Sequence, residues 1–253
     1  METKNLKPAL AGVAETARRL LFGEACCAAC GADVFSQEYF CGHCLQTLPF
    51  NAGFVCGKCG RAIGEDYPVC LECKADMPLF DAARSAFRYE GEIVRLVKKY
   101  KTGGKYLADA FAHSMLHYLF SDFAGADILA FVPMTGRAAH KRGYNQSRLL
   151  AERLSALSGI PLAENALVKT RETSAQKQLS RRERAENLRG SFHLSSRKIW
   201  KGKTAVLVDD VLTTGATANE LARLLFGAGA KKVFVLTAAS VPQRGEKPFP
   251  HKN

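Results

Sequence analysis

The chain has 253 residues, 47% of them apolar and 24% charged, a balance that excludes wholesale disorder. No apolar run reaches the roughly 20 residues of a membrane helix, which excludes a helical membrane span. The formal charge is +12, and its source is uneven: residues 127–204 carry 16 basic against 6 acidic residues, whereas residues 1–80 carry 7 against 9. A phosphate-rich ligand, small or polymeric, is the natural partner of the central stretch, with a solvated basic surface as the plainer alternative.

In chain order, residues 8–22 read as a short amphipathic helix, with Leu10, Val13, Ala17, Leu20 and Leu21 on one face, inside a leading segment 1–25. Glu15, Arg18 and Arg19 interrupt its apolar run and no typical cleavage pattern follows, so it does not read as a signal peptide, and a cytoplasmic location is expected.

All nine cysteines lie between Cys26 and Cys73. Eight form four C-x-x-C pairs: Cys27/Cys30, Cys41/Cys44, Cys56/Cys59 and Cys70/Cys73. The second half repeats the first at a constant offset of 29, with a glycine (Gly31, Gly60) after the second cysteine of each opening pair. Two C-x-x-C knuckles complete one tetrahedral Zn(Cys)4 site, so residues 26–77 are expected to form a double zinc ribbon with two structural Zn2+ ions. Disulfides do not suit a reducing compartment, and dithiol redox chemistry needs one such pair rather than four. Each repeat is expected to hold its own ion; a crossed arrangement, with the first and third pairs sharing one, is the alternative. Cys26 is surplus, a buried or bystander thiol. Such a module has little apolar core, so its metals supply much of its folding free energy. Its acidic balance disfavours it as the main phosphate-contacting surface.

Met77-Pro78 marks the way out into a larger domain, residues 78–241, followed by a tail, 242–253, that reads as disordered. Strands are expected at Ala83–Tyr89, Asp127–Val132, Ala166–Lys169, Thr204–Val208 and Lys232–Ala238. Helices are expected at Glu92–Lys101, Lys105–Phe123, Tyr144–Ser158 and Thr217–Ala228. This alternation predicts an α/β fold, a mostly parallel sheet with helices on both faces.

The most specific stretch is Ala205-Val-Leu-Val-Asp-Asp-Val-Leu-Thr-Thr-Gly-Ala-Thr217. An apolar strand ends in two acids, and a small-residue loop then opens a helix. Ligands of open parallel sheets bind at the carboxyl ends of the strands. The loop Thr213, Thr214, Gly215, Ala216, Thr217 presents amides at a helix N-terminus, an anion cradle. Asp209 and Asp210 do not suit a bare phosphate; they suit ribose hydroxyls beside one, and Mg2+ reached through water.

This run resembles the phosphoribosyl-pyrophosphate (PRPP) motif of type I phosphoribosyltransferases. The resemblance implies that Asp209 and Asp210 hold the ribose hydroxyls, that residues 213–217 hold the 5′-phosphate, and that Phe131-Val-Pro-Met-Thr-Gly-Arg137 is the pyrophosphate loop with Arg137 as its contact. Two further blocks narrow it: Pro133…Arg137…Lys141-Arg142-Gly143-Tyr144-Asn145-Gln146 and Gln176…Leu179-Ser180…Arg184…Asn187…Gly190…Phe192. With the cysteine-rich N-terminus, these resemble the ComF/GntX family over about residues 8–240, in four blocks. Tyr144 departs mildly from the more usual Phe, and the duplicated cysteine set is fuller than in some members. The resemblance implies a type I phosphoribosyltransferase-like domain behind a zinc-ribbon module, a PRPP or related ligand taken with Mg2+, and a role in natural transformation. There the family handles incoming single-stranded DNA with a helicase partner. A catalytically active phosphoribosyltransferase of nucleotide metabolism or salvage, with no part in DNA uptake, is the alternative.

Residues 169–192 carry seven cations (Lys169, Arg171, Lys177, Arg181, Arg182, Arg184, Arg189) and three acids. In this fold class a mobile loop before the PRPP motif closes over the site, and Arg171 or its neighbours there would stabilise departing pyrophosphate; a track for single-stranded DNA fits the same charges. Arg142 is grouped with the ligand-binding residues. Lys98-Lys-Tyr-Lys-Thr-Gly-Gly-Lys105 resembles a family segment, which implies that Lys101 approaches the site; a plain helix–helix turn is the alternative. His113 and His117, spaced i, i+4, read as a surface pair.

Overall fold

The computed structural model describes residues 26–34, 38–172 and 187–243. The expected helix at 8–22, most of the 169–192 loop and the tail from 244 lie outside the described residues. The chain divides into two compact units, Met1–Leu48 and Pro49–Asn253.

In the first unit the sulfurs of Cys27, Cys30, Cys41 and Cys44 all lie within 4.8 Å of one another. Cys41 opens a short helix, α1 (Gly42–Thr47), which carries Cys44. In the second unit Cys56, Cys59, Cys70 and Cys73 form the equivalent buried set, with Cys70 opening α2 (Leu71–Ala75). The Cys30–Cys41 and Cys59–Cys70 sulfur pairs are 3.7 Å apart. A tetrahedron of Zn–S bonds of about 2.3 Å has S–S edges of about 3.8 Å, so each repeat is dimensioned for one ion of its own. The crossed arrangement is not formed. The Cys56 sulfur also accepts from the amides of Cys59 (3.4 Å) and Cys70 (3.2 Å), which favours the thiolate that a metal needs. Cys26 is exposed and outside the cluster.

The second unit continues into β1 (Ala82–Arg88), α3 (Gly91–Lys101), α4 (Leu107–Phe120), β2 (Ile128–Phe131), α5 (Gly136–Arg142) and α6 (Gln146–Ser158). Then follow β3 (Leu167–Lys169), β4 (Phe192–Leu194), a 3-10 turn at Lys198–Trp200, β5 (Thr204–Leu212), α7 (Ala216–Gly227) and β6 (Lys232–Ser240). The main sheet has the order β1-β6-β5-β2, and every pair in it is parallel. Parallel strands need crossovers that cover both faces, so the inner strands read as near-continuous apolar runs. Leu207, Val233 and Val235 pack with Leu221 and Leu225 of α7 on one face. On the other, α6 packs against β2 and β5, and α4 against α6, β1 and β6. The expected α/β class and all five expected strands are present.

Four features depart from the sequence reading. β5 runs on to Leu212 rather than stopping before the acids, because its ladder to β6 continues through Val211 opposite Ala239 and Leu212 opposite Ser240. α5 lies where no helix is expected; it is about two turns long with no buried residue, so it has no apolar period to read. β4 pairs antiparallel with β3 over three residues each, too short to alternate visibly. Fourth, and most consequential, the second ribbon belongs to the same unit as the sheet. It covers the outer edge of β1, where open backbone groups would otherwise be exposed. The Ala83 amide donates to the Lys58 carbonyl (2.8 Å), the Arg88 amide to Pro49 (2.8 Å) and the Asn51 amide to Ala86 (2.9 Å).

Gly60 sits at this seam with φ +66°, and a Cβ placed on it would lie 2.1 Å from the Ala83 carbonyl oxygen. Gly31, its counterpart in the first repeat, has φ +80°, and a Cβ there would meet nothing within 4 Å among the described residues. Gly60→Ala therefore forces backbone apart as well as straining φ, and is expected to cost about 3 kcal/mol or more, whereas Gly31→Ala costs about 1 kcal/mol of conformational strain. Denaturant titration of the two variants checks the contrast. Native mass spectrometry should show two Zn2+ per chain, and a strong chelator should lower the melting temperature of the zinc-loaded protein.

Candidate functional site

The sheet delivers two adjacent acids near the carboxyl end of β5. The Asp209 Oδ1 accepts from the Ser147 hydroxyl at 2.6 Å and from the Asp210 amide at 2.9 Å. The Asp210 carboxylate meets the Lys101 ammonium at 3.0 Å. Burial, and next the Asp210 charge, push the Asp209 carboxyl up to about 7. This pair is thus held ready at an electrostatic cost.

Three residues on, Thr213-Thr214-Gly215 turns into α7. Gly215 has φ +76°, a conformation that a side-chain-bearing residue rarely adopts. Among the described residues, the amides of Thr213, Thr214 and Gly215 donate to no backbone carbonyl, and that of Ala216 meets the Thr214 hydroxyl at 3.4 Å. Open amides at the head of a twelve-residue helix carry partial positive charge. These amides belong to the turn that the sequence reading takes for an anion cradle. On its far side, the buried Arg61 guanidinium donates through Nη2 to the Thr213 carbonyl and through Nη1 to Glu72 of α2 at 2.6 Å.

A cleft of about 580 Å³ opens beside this corner. Its walls come from four elements: Lys101 at the end of α3, the Val132–Thr135 loop with Arg137, Lys141 and Arg142 of α5, Gln146 and Ser147 at the start of α6, and Lys169 at the end of β3 with Glu172 beyond it. Asp209, Asp210 and Thr217 form the floor. Five cations thus face three carboxylates, a field suited to a polyanion that carries hydroxyl groups. Thr135 caps α5 by accepting from the Ala138 amide at 3.2 Å. Asn145 caps α6 by accepting from the Arg148 amide, and its own amide group donates to the Val132 carbonyl at 3.1 Å, tying the two loops together. Gln146 is buried; its side-chain oxygen accepts from Arg142 at 3.1 Å, while its Nε2 has no partner among the described residues. Lys169 stands over the Phe192 ring at 5.4 Å; burial lowers its pKa, against the opposing pull of Asp209 and Glu172.

The structure therefore brings together Asp209, Asp210, Thr217, Arg137 and Arg142, with Thr213, Thr214, Gly215 and Ala216 as the adjoining turn. Lys101 is also at the site, in contact with Asp210. Arg171 is not on the cleft wall: its guanidinium donates to the carbonyls of Asn187 (3.0 Å) and Arg189 (3.2 Å). The cations Lys177, Arg181, Arg182 and Arg184 lie outside the described residues. Sequence reasoning assigned no role to Ser147, Gln146 or Arg61. The first two lie within or next to the Arg142-Gly143-Tyr144-Asn145-Gln146 block, which was the available signal; Arg61 has none beyond following a knuckle glycine.

Two family models match the chain: a phosphoribosyl transferase domain over residues 140–252 and a double zinc ribbon domain over residues 17–79. The chain is 27% identical to the competence protein F of Haemophilus influenzae over 219 residues, 78% of this chain and 95% of that protein. It is 32% identical to the DNA utilization protein YhgH of Salmonella typhi over 215 residues, 77% of this chain and 94% of that protein. With the competence protein ComFC of Bacillus subtilis it shares 26% identity over 208 residues, 76% of this chain and 80% of that one. A double zinc ribbon followed by a phosphoribosyltransferase domain, together with these relatives, shows that the chain belongs to the ComF family.

Proposed function

We propose that the cleft takes PRPP or a related phosphoribosyl ligand with Mg2+, and that the protein acts in DNA uptake and natural transformation on the cytoplasmic side, handling incoming single-stranded DNA. The observation that carries the ligand reading is the pairing of adjacent carboxylates with open helix-head amides on one cation-rich cleft. Residues 213–217 would receive the 5′-phosphate. Asp209 and Asp210 would accept from the ribose hydroxyls, with Lys101 transferring from Asp210 to a ligand phosphate. Arg137 and Arg142 would meet the pyrophosphate. The hard oxygen donors of the two acids suit Mg2+ held by the pyrophosphate and reached through water; the ion would neutralise pyrophosphate charge.

The DNA part of the proposal rests on the relatives' names, competence and DNA utilization, and on the 16 basic residues of segment 127–204. A helicase of the uptake machinery is the proposed protein partner. The five cleft cations favour a second reading, catalytic transfer: the C1–oxygen bond to pyrophosphate breaks, a bond from C1 to an acceptor nucleophile forms, and the cations stabilise the leaving charge.

Three outcomes are expected. In calorimetric titration with Mg2+ and PRPP, Asp209→Asn and Asp210→Asn each weaken binding by about tenfold or more, through loss of a charge-assisted hydrogen bond. Asp209→Asn also stabilises the fold. A carboxyl raised to about 7 contributes stability below its ordinary value of 3.8 and loses it as pH rises through 7; the variant's gain in melting temperature should therefore grow between pH 4 and pH 8. Opposite signs in the two readouts separate lost binding from lost folding. For single-stranded DNA, the logarithm of affinity should fall linearly with the logarithm of salt concentration, at a slope of about −0.7 per phosphate neutralised; a flat response contradicts a DNA-handling role.

A further inference from the structure

The second zinc ribbon and the α7 turn are joined by one buried side chain. Arg61 follows the Cys56/Cys59 knuckle by two residues, and Glu72 lies between Cys70 and Cys73. The four sulfurs bring those two knuckles together, and this places Glu72 against Arg61 at 2.6 Å. The guanidinium, only 5% exposed, spends its other terminal nitrogen on the Thr213 carbonyl, 152 residues away in sequence. Cys59, Arg61, Glu72 and Cys73 line the same seam as Thr214 and Gly215. Both terminal nitrogens of this buried charge are thus paired, as a buried charge requires, while its Nε has no partner among the described residues.

Its consequence follows from peptide geometry. The Thr213 carbonyl and the Thr214 N–H belong to one planar trans unit and point in opposite directions. Tethering the oxygen toward the ribbon directs the Thr214 amide away from it. A charged donor on that carbonyl also polarises the peptide and strengthens its N–H as a hydrogen-bond donor.

We propose that Arg61 is a positioning residue for the phosphoribosyl site: held by Glu72 in the metal-ordered second ribbon, it sets the 213–217 turn for the 5′-phosphate. The ribbon is then part of the ligand-binding machinery, and the state of its metal centre bears on phosphate affinity. The inference rests on the phosphoribosyl reading above. Its chemistry predicts a split between two probes, because Arg61 touches the 5′-phosphate turn and not the α5 loop that would meet pyrophosphate.

The experiment is calorimetric titration of the full-length zinc-loaded protein with ribose 5-phosphate and, separately, with inorganic pyrophosphate, comparing wild type, Arg61→Met and Glu72→Gln. Zinc content and melting temperature are measured alongside. Arg61→Met is expected to keep two Zn2+ per chain and pyrophosphate affinity within about twofold, and to lose ribose 5-phosphate affinity by about tenfold or more. Glu72→Gln, a milder change at a half-exposed side chain, is expected to weaken ribose 5-phosphate by about threefold with the same selectivity. It serves as the decisive variant if Arg61→Met does not fold. Equal ribose 5-phosphate affinity in wild type and both folded variants, or equal loss of both probes, overturns the role of Arg61. No ribose 5-phosphate binding by the wild type overturns the phosphoribosyl reading itself.

Discussion

A backbone amide at the head of a helix attracts an anion, and a carboxylate repels one. At the end of β5 the two stand within a few residues of each other, and the fold maintains both. Burial and the neighbouring Asp210 charge raise Asp209 to about 7, while Lys101 balances Asp210 at 3.0 Å. A ligand with an anionic group for the amides and hydroxyls for the carboxylates resolves the conflict; water alone does so less well. The parallel sheet supplies the rest, since consecutive crossovers bring the β2 and β5 ends to one side and place the α5 and α6 starts opposite the acids.

The second ribbon serves two mechanical ends. In both ribbons, four sulfurs substitute for an apolar core. The second also closes the exposed edge of β1 through main-chain hydrogen bonds and reaches the α7 turn through Arg61. Gly60 is fixed by this contact, because the Ala83 carbonyl occupies the space of any side chain there.

Much of the fold and the chemistry was legible in the sequence, because both rest on local patterns. The cysteine spacing encodes two knuckles per ion, and the apolar run, paired acids and Thr-rich turn are contiguous. What escaped reading is either too short to be periodic or too distant to be local. α5 buries no residue and β4 spans three. The extension of β5 through Asp209 and Asp210 depends on pairing with β6, which no property of the acids announces. Arg61 and Thr213 are 152 residues apart, and a lone arginine after a knuckle glycine gives no hint of its partner. Arg171 was read from the charge of its segment, yet its guanidinium is committed to the carbonyls of residues 187 and 189; charge density alone does not say which cation faces a cleft.

The most direct test of the account is a crystal structure of the zinc-loaded protein with PRPP and Mg2+ bound. The account predicts the 5′-phosphate on the amides of residues 213–217, the ribose hydroxyls on Asp209 and Asp210, and Lys101 withdrawn from Asp210 toward a phosphate. Ligand density elsewhere, with the Lys101–Asp210 pair intact and the turn amides facing solvent, would contradict it.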